Sequence, residues 1–274
     1  MNRIPLSTAF LATAALAALL APASLSAQEP GNVPETKAPA ATQAAPAPPA
    51  PPVILSSTTW DPKLDWAWLG RFRAADTALP ALLPAENRVV FMGDSITQAW
   101  RIEGPDSYFP GKPYINRGIS GQTTPQMLVR FRQDVIALQP KVVVILAGIN
   151  DIAGNTGPET LEQIEDNLSS MAELAAANRI RVVMCSVMPA FDFPWRAGLS
   201  PAAKVVSLNK WIKAYASEMG YVYVDFHTPM KDERDGLPAS LSKDGVHPTA
   251  DGYAVMAPLA EAGIEKALKA GNRD

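Results

Sequence analysis

The feature that most limits what this chain can fold into is an alternation. Five runs rich in aliphatic and β-branched residues, Arg88–Met92, Pro113–Asn116, Lys141–Ala147, Ile180–Val187 and Tyr221–Asp225, are separated by segments with helical spacing of apolar residues. Between the second and third runs Leu128, Phe131, Val135 and Leu138 recur three or four positions apart; between the third and fourth, Leu161, Ile164, Leu168, Met171 and Leu174 do the same. Pro158 falls just ahead of that second helix, where a first-turn proline is tolerated. Ser200-Pro201 reads as a cap and first turn, followed by the stripe Val205, Leu208, Ile212 and Tyr215, and a last helix spans about Ala250 to Leu268. A further helix is expected over Trp66–Leu83, before the first strand. Strands that are apolar almost throughout are buried on both faces, so the sheet must be parallel and covered by helices on each side. With right-handed crossovers the expected fold class is α/β, a three-layer αβα sandwich on five parallel strands.

The domain so predicted occupies residues 55–270. Before it, Arg3, the apolar run Ala9–Leu20 and the small residues Ala21–Ala27 have the pattern of a secretory signal peptide over residues 1–27, with cleavage expected after Ala23 or Ala27. Export to the periplasm or the exterior follows from that reading, with no membrane span left in the mature chain. Residues 28–54 form a linker; from Ala38 to Pro52 thirteen of fifteen residues are Ala or Pro, a composition that extends rather than packs. The formal charge of −3 comes with no basic run, which argues against a nucleic-acid partner. Cys185, the single cysteine, sits in a buried-strand pattern and reads as a small hydrophobe. Two histidines, His227 and His247, with no His-x-x-x-His or Cys-x-x-Cys spacing, leave no expected metal site.

In a parallel sheet the loops after the strand C-termini converge on one edge. Here they carry Gly93-Asp94-Ser95 after the first strand, Asn116-Arg117-Gly118-Ile119-Ser120-Gly121 after the second and Gly148-Ile149-Asn150-Asp151 after the third. Between the fifth strand and the last helix lies Asp244-Gly245-Val246-His247-Pro248. A serine hydroxyl is a weak nucleophile unless a base accepts its proton, and His247 is the base expected for Ser95. Asp244, three residues earlier, would hold the imidazole tautomer. Backbone N–H groups of Ser95 and Gly118, with the side-chain amide of Asn150, are the expected oxyanion donors. His227 is the rival base, without an Asp-x-x-His partner, and Asp94 is expected to support the nucleophile loop.

With these residues in hand the chain closely resembles the SGNH hydrolases, also called GDSL-type lipases and esterases. The resemblance rests on Gly93-Asp94-Ser95-Ile96, Gly118, Gly148-Ile149-Asn150-Asp151 and Asp244-Gly245-Val246-His247, and covers roughly residues 85–268. The run Asn116–Thr123 looks most like the bacterial branch related to platelet-activating-factor acetylhydrolase subunits and carbohydrate acetylesterases. The resemblance implies a flavodoxin-like five-stranded sheet, a triad of Ser95, His247 and Asp244, an oxyanion hole of Ser95, Gly118 and Asn150, and neither metal nor cofactor. It also implies an ester substrate with a short acyl group, acetyl first, possibly on a carbohydrate. A lipase, thioesterase or acyltransferase would use the same triad, and a tethered glycan- or cell-wall-binding module is the reading from another class. Phe191, Phe193 and Trp195 stand either as pocket wall, as a sugar-stacking face or as packing.

Overall fold

The computed structural model describes residues 60–81, 83 and 86–270. The leader and the Ala/Pro linker read from the sequence lie outside them. Strands β1 (Val89–Gly93), β2 (Tyr114–Gly118), β3 (Val142–Leu146), β4 (Arg181–Cys185) and β5 (Val222–Val224) form one parallel sheet in the order β2-β1-β3-β4-β5. Every residue of β1 and β3 is buried, as strands covered on both faces require.

The connections are α1 (Arg73–Ala78), α2 (Ser95–Ala99), α3 (Thr124–Asp134), α4 (Ile149–Ile152), α5 (Leu161–Ala177), α6 (Ala202–Met219), α7 (His227–Met230) and α8 (Ala250–Lys269). Helices α3, α5 and α6 pack in a row on one face, while α8 lies against β3, β4 and β5. The fold is the αβα sandwich expected, with a flavodoxin-like strand order. That order reverses direction at β1, which has β2 on one side and β3 on the other. The reversal leaves a crevice at the strand C-termini, where Ser95 opens α2 after β1, Gly118 ends β2 and Asn150 lies in α4 after β3.

Two local expectations change. The helix expected over Trp66–Leu83 shrinks to the six residues of α1. Asp65 accepts from the N–H groups of Leu69 and Gly70 at 2.7 and 2.9 Å, and Trp68 adopts φ 54°, so the chain turns where a helix would continue. The segment is instead strapped to α3 and its approach. Side-chain amides of Gln122, Gln126 and Gln133 each donate at 2.7 Å, to the carbonyls of Ala67, Trp66 and Leu69. At α6, Ser200 does not cap the helix: its φ is 47° and Pro201 takes the N-cap position without a side-chain bond. Helix α5 does begin on a capping box, made by Thr160 and Gln163.

Candidate active site

β1 ends at Gly93, and Asp94 caps α2 by accepting from the Ile96 N–H at 2.9 Å. That places Ser95 at the first position of α2, where its own N–H has no partner within the helix. Burial pushes the Asp94 carboxyl up to about 6, against the pull of the Ile96 N–H. Asp94 thus supports the turn and has no hydrogen bond to the imidazole, though the charge of His247 also pulls its carboxyl down.

The Ser95 Oγ lies 2.9 Å from His247 Nε2, and His247 Nδ1 lies 2.6 Å from Asp244 Oδ2. With the ring proton on Nδ1 donated to Asp244, Nε2 is free to accept from the serine hydroxyl. Asp244 also accepts, through Oδ1, from the N–H groups of Val246 at 3.0 Å and His247 at 2.8 Å. Burial alone would raise its pKa; the N–H and ring bonds from His247 and the Val246 N–H outweigh it and hold the carboxyl at about 2. Buried Ser242 stitches the same turn: its Oγ is 3.1 Å from Asp244 Oδ1 and 2.8 Å from the His247 carbonyl, and accepts from the Gly245 N–H. The helix that follows is tied to the nucleophile helix by Tyr253, whose buried hydroxyl donates to the Ile96 carbonyl at 2.7 Å.

Asn150, in α4 directly after β3, is buried. One of its amide hydrogens goes to the Gln122 carbonyl at 3.0 Å, leaving the other available. Asn155 donates both to Asn150 Oδ1 at 2.9 Å and to the Gly121 carbonyl at 3.2 Å, so one amide bridges the loops after β2 and β3.

Gly118 does not join this group as expected. Its N–H faces outward from the edge strand and is already donated to Asn116 Oδ1 at 2.8 Å. It is a glycine for a different reason: a Cβ there would lie 2.2 Å from the Gln98 backbone N, so α2 sits directly on it. Gly118→Ala is therefore expected to cost about 3 kcal/mol of stability by overpacking, read as a lower urea midpoint at unchanged slope. Three residues on, Gly121 has φ 78°, the Asn155 Nδ2 4.0 Å from where a Cβ would stand, and an N–H without an acceptor among the described residues. The signal that would have separated the two glycines is local: Asn116, two residues before Gly118, is a side chain able to consume its N–H.

His227 lies at the start of α7, and its N–H donates to Ser186 Oγ. Its Nε2 is buried without a partner, and burial lowers the ring's pKa. The imidazole facing Ser95 is that of His247. Cys185 is buried, which pushes its thiol up and away from thiolate chemistry. Of the three aromatics after β4, Phe193 is core, Phe191 stands exposed under Arg234, and Trp195 stacks on Phe193 with its ring 6.0 Å from that of His247. Among the described residues no three His, Cys, Asp or Glu side chains gather to hold a metal ion, and no helix is long and apolar enough to cross a membrane.

A model of the GDSL-like Lipase/Acylhydrolase family matches residues 91–255. An acetylxylan esterase from Geobacillus stearothermophilus is 27% identical over 207 residues, which is 65% of this chain and 94% of the relative. The solved structure of a GDSL-like lipase from Bacteroides thetaiotaomicron is 46% identical, with a TM-score of 0.71, covering 74% of this chain and 99% of that one. A crystal structure of an acetylxylan esterase from Geobacillus stearothermophilus, at 22% identity and a TM-score of 0.54 over 65% of this chain and 94% of that one, shares the fold.

Proposed function

This chain belongs to the GDSL-like lipase/acylhydrolase family and is a carboxylic ester hydrolase; we propose that it removes acetyl and other short acyl groups through Ser95, His247 and Asp244. The observation that carries the proposal is the continuous line of hydrogen bonds from Ser95 Oγ through the imidazole to Asp244, at 2.9 and 2.6 Å.

Along that line, Ser95 Oγ attacks the ester carbonyl carbon as its proton passes to His247 Nε2. The imidazolium so formed is stabilised by the Asp244 carboxylate. The tetrahedral intermediate collapses when Nε2 returns the proton to the alcohol oxygen, which leaves, and the acyl group stays on Ser95. Water then repeats the sequence, giving up a proton to Nε2 and releasing the carboxylic acid as Ser95 recovers its hydrogen. The oxyanion is met by the Ser95 N–H, the spare hydrogen of the Asn150 amide and the Gly121 N–H, the last replacing Gly118. Each such donor in a comparable site contributes about 3–4 kcal/mol to the transition state. Trp195 forms a wall beside the base, and an exposed indole of this kind suits a sugar face.

Similarity to an acetylxylan esterase supports acetyl as the acyl group and a carbohydrate as the alcohol. The signal-like residues 1–27 support work outside the cytoplasm, where such polymers are met. Comparing nitrophenyl acetate with nitrophenyl octanoate tests the acyl preference: kcat/KM is expected to favour acetate by about tenfold or more, equivalent to ~1.4 kcal/mol. A faster octanoate reaction would overturn it. Acetate released from acetylated xylan tests the alcohol.

A further inference from the structure

Residues 186–201 run from the C-terminal end of β4 to α6, on the same rim as Ser95. Asn209, buried in α6, grips the start of this loop. Its Oδ1 accepts from the Val187 N–H at 2.7 Å, and its Nδ2 donates to the Val187 carbonyl at 2.9 Å. Asp192 closes the tip, accepting through Oδ1 from the N–H groups of Phe193 and Gly198, both at 2.9 Å. Phe193 is fully buried, and the Trp195 ring stacks on it with centroids 5.2 Å apart. Phe191 has the Arg234 guanidinium 4.6 Å over its face. Trp195 remains 45% exposed, its centroid 6.0 Å from that of His247.

The tip is pinned at one more point. Arg196 Nη1 donates to the carbonyls of Ala153 and, at 3.0 Å, of Gly154, both at the C-terminal end of α4. Carbonyls at a helix C-terminus lack partners within the helix and favour a cation. Gly154 makes room for this one: its φ is 70°, and a Cβ there would lie 2.7 Å from Nη1. The guanidinium thus clips the loop that carries Trp195 to the helix that carries Asn150.

The destination of the proton decides which half of the ester Trp195 meets. His247 Nε2 must hand the Ser95 proton to the alcohol oxygen, so the alcohol leaves within hydrogen-bond reach of Nε2 while the acyl group stays on Oγ. A ring beside the imidazole therefore borders the alcohol. A flat indole buries more of an alcohol that presents a ring face than of an open chain. That gain is realised only if the indole is already in place, because ordering a mobile loop would offset it.

We propose that Arg196 is a positioning residue for the alcohol half of the substrate: it holds Trp195 beside His247, and the held indole selects alcohols that present a ring. The proposal rests on the serine-esterase reading above and assigns the residue that sets its choice of alcohol.

Cyclohexyl acetate and isopropyl acetate test it. Both are acetates of secondary alcohols and give the same acetyl-enzyme; they differ in the ring. The unmodified protein is expected to favour the cyclohexyl ester in kcat/KM by about three- to tenfold, the range of one aromatic contact. In Trp195→Ala and in Arg196→Gln that ratio is expected to fall to about one, the loss falling on the cyclohexyl ester. The double variant is expected to match Trp195→Ala alone, because Arg196 acts through the indole. Arg196 is exposed, so its replacement leaves the core intact. No ring preference in the unmodified protein, or an unchanged ratio in Arg196→Gln, would overturn the proposal. So would a double variant in which the two losses add. A loss in Arg196→Gln that falls equally on both esters would place its effect on α4 and Asn150 instead, and overturns the proposal as well. Hydrolysis that survives Ser95→Ala would sink the serine mechanism, while the ratio would still report on Arg196. A ring preference without acetate release from acetylated xylan would sink the carbohydrate reading and leave the positioning role standing.

Discussion

Ser95→Ala is expected to lower kcat on nitrophenyl acetate by about 10⁴–10⁶-fold, the range seen when a triad nucleophile is removed, with the fold unchanged. The hydroxyl is half-buried and bonds only to His247, so its loss leaves no polar group stranded in the core. Residual hydrolysis at the level of the oxyanion donors alone is the expected floor; activity within tenfold of the unmodified enzyme would remove Ser95 from the reaction. Asp244→Asn gives a second reading of the same line of bonds. The amide oxygen can still accept from the Val246 and His247 N–H groups, which turns Nδ2 toward the ring. The ring must then accept at Nδ1 and carry its proton on Nε2, where Ser95 needs an acceptor. A loss approaching 10⁴-fold in kcat is expected from that tautomer reversal. Because Asp244 is held at about 2, its ionisation does not shape the pH profile above the strongly acid range. Its folded pKa lies below the ordinary 3.8, so its contribution to stability is present above that value and fades as pH falls from 3.8 toward 2.

Arg130→Met is expected to destabilise the protein by about 3–5 kcal/mol, the largest stability effect of any change discussed here. Both Arg130 and Asp134 have side chains 0% exposed, paired at 2.9 Å. Removing the cation alone strands a carboxylate inside the protein, where among the described residues its only other side-chain donor is Gln133 at 2.9 Å. Arg130 also donates to Gln122 Oε1 at 2.6 Å and to the Gly93 carbonyl at 3.1 Å, two residues before Ser95. Gln122 in turn holds the Asn150 amide through its carbonyl. One buried guanidinium therefore braces both the strand end that carries Ser95, the proposed nucleophile, and the loop that holds the Asn150 amide, a proposed oxyanion donor. Arg130→Met with Asp134→Leu removes both charges together and is expected to regain most of the lost stability, since a buried ion pair replaced by apolar groups is often close to neutral. The kcat of the double variant should stay low, because Gly93 and Gln122 remain unbraced. Urea midpoints and kcat measured on the same three proteins test this; recovery of both together would show that Arg130 acts only on stability.

The strands and the loops were legible because each has a one-dimensional signature. A run such as Val142–Leu146 can only be buried on both faces, and the ends of such runs put Ser95 and Asn150 on one rim. Asp244 and His247 sit three apart in a single turn, so their contact is local as well. What was illegible depends on partners distant in sequence. Arg130 lies among the apolar positions of α3, and nothing beside it announces that it bonds to Gly93, 37 residues away. The Trp66–Leu83 segment has helical spacing, yet Asp65 takes two of its N–H groups and three glutamines take its carbonyls. Gly118 ends β2 and Gly121 lies three residues on, alike in residue type; which one offers an N–H is decided by the Asn116 side chain.

The bond between Tyr253 and the Ile96 carbonyl also bears on when, during folding, the protein becomes an enzyme. Ser95 and His247 are separated by 152 positions, and closing so long a loop is entropically costly until something rewards it. The reward is the docking of α8 against β3, β4 and β5, which carries Tyr253 onto α2 and draws the Asp244–His247 turn over the serine. A nascent chain with all five strands synthesised but α8 not yet docked would hold the proposed nucleophile, Ser95, without its proposed base, His247. On the proposed mechanism, ester cleavage would begin only when the last helix is home.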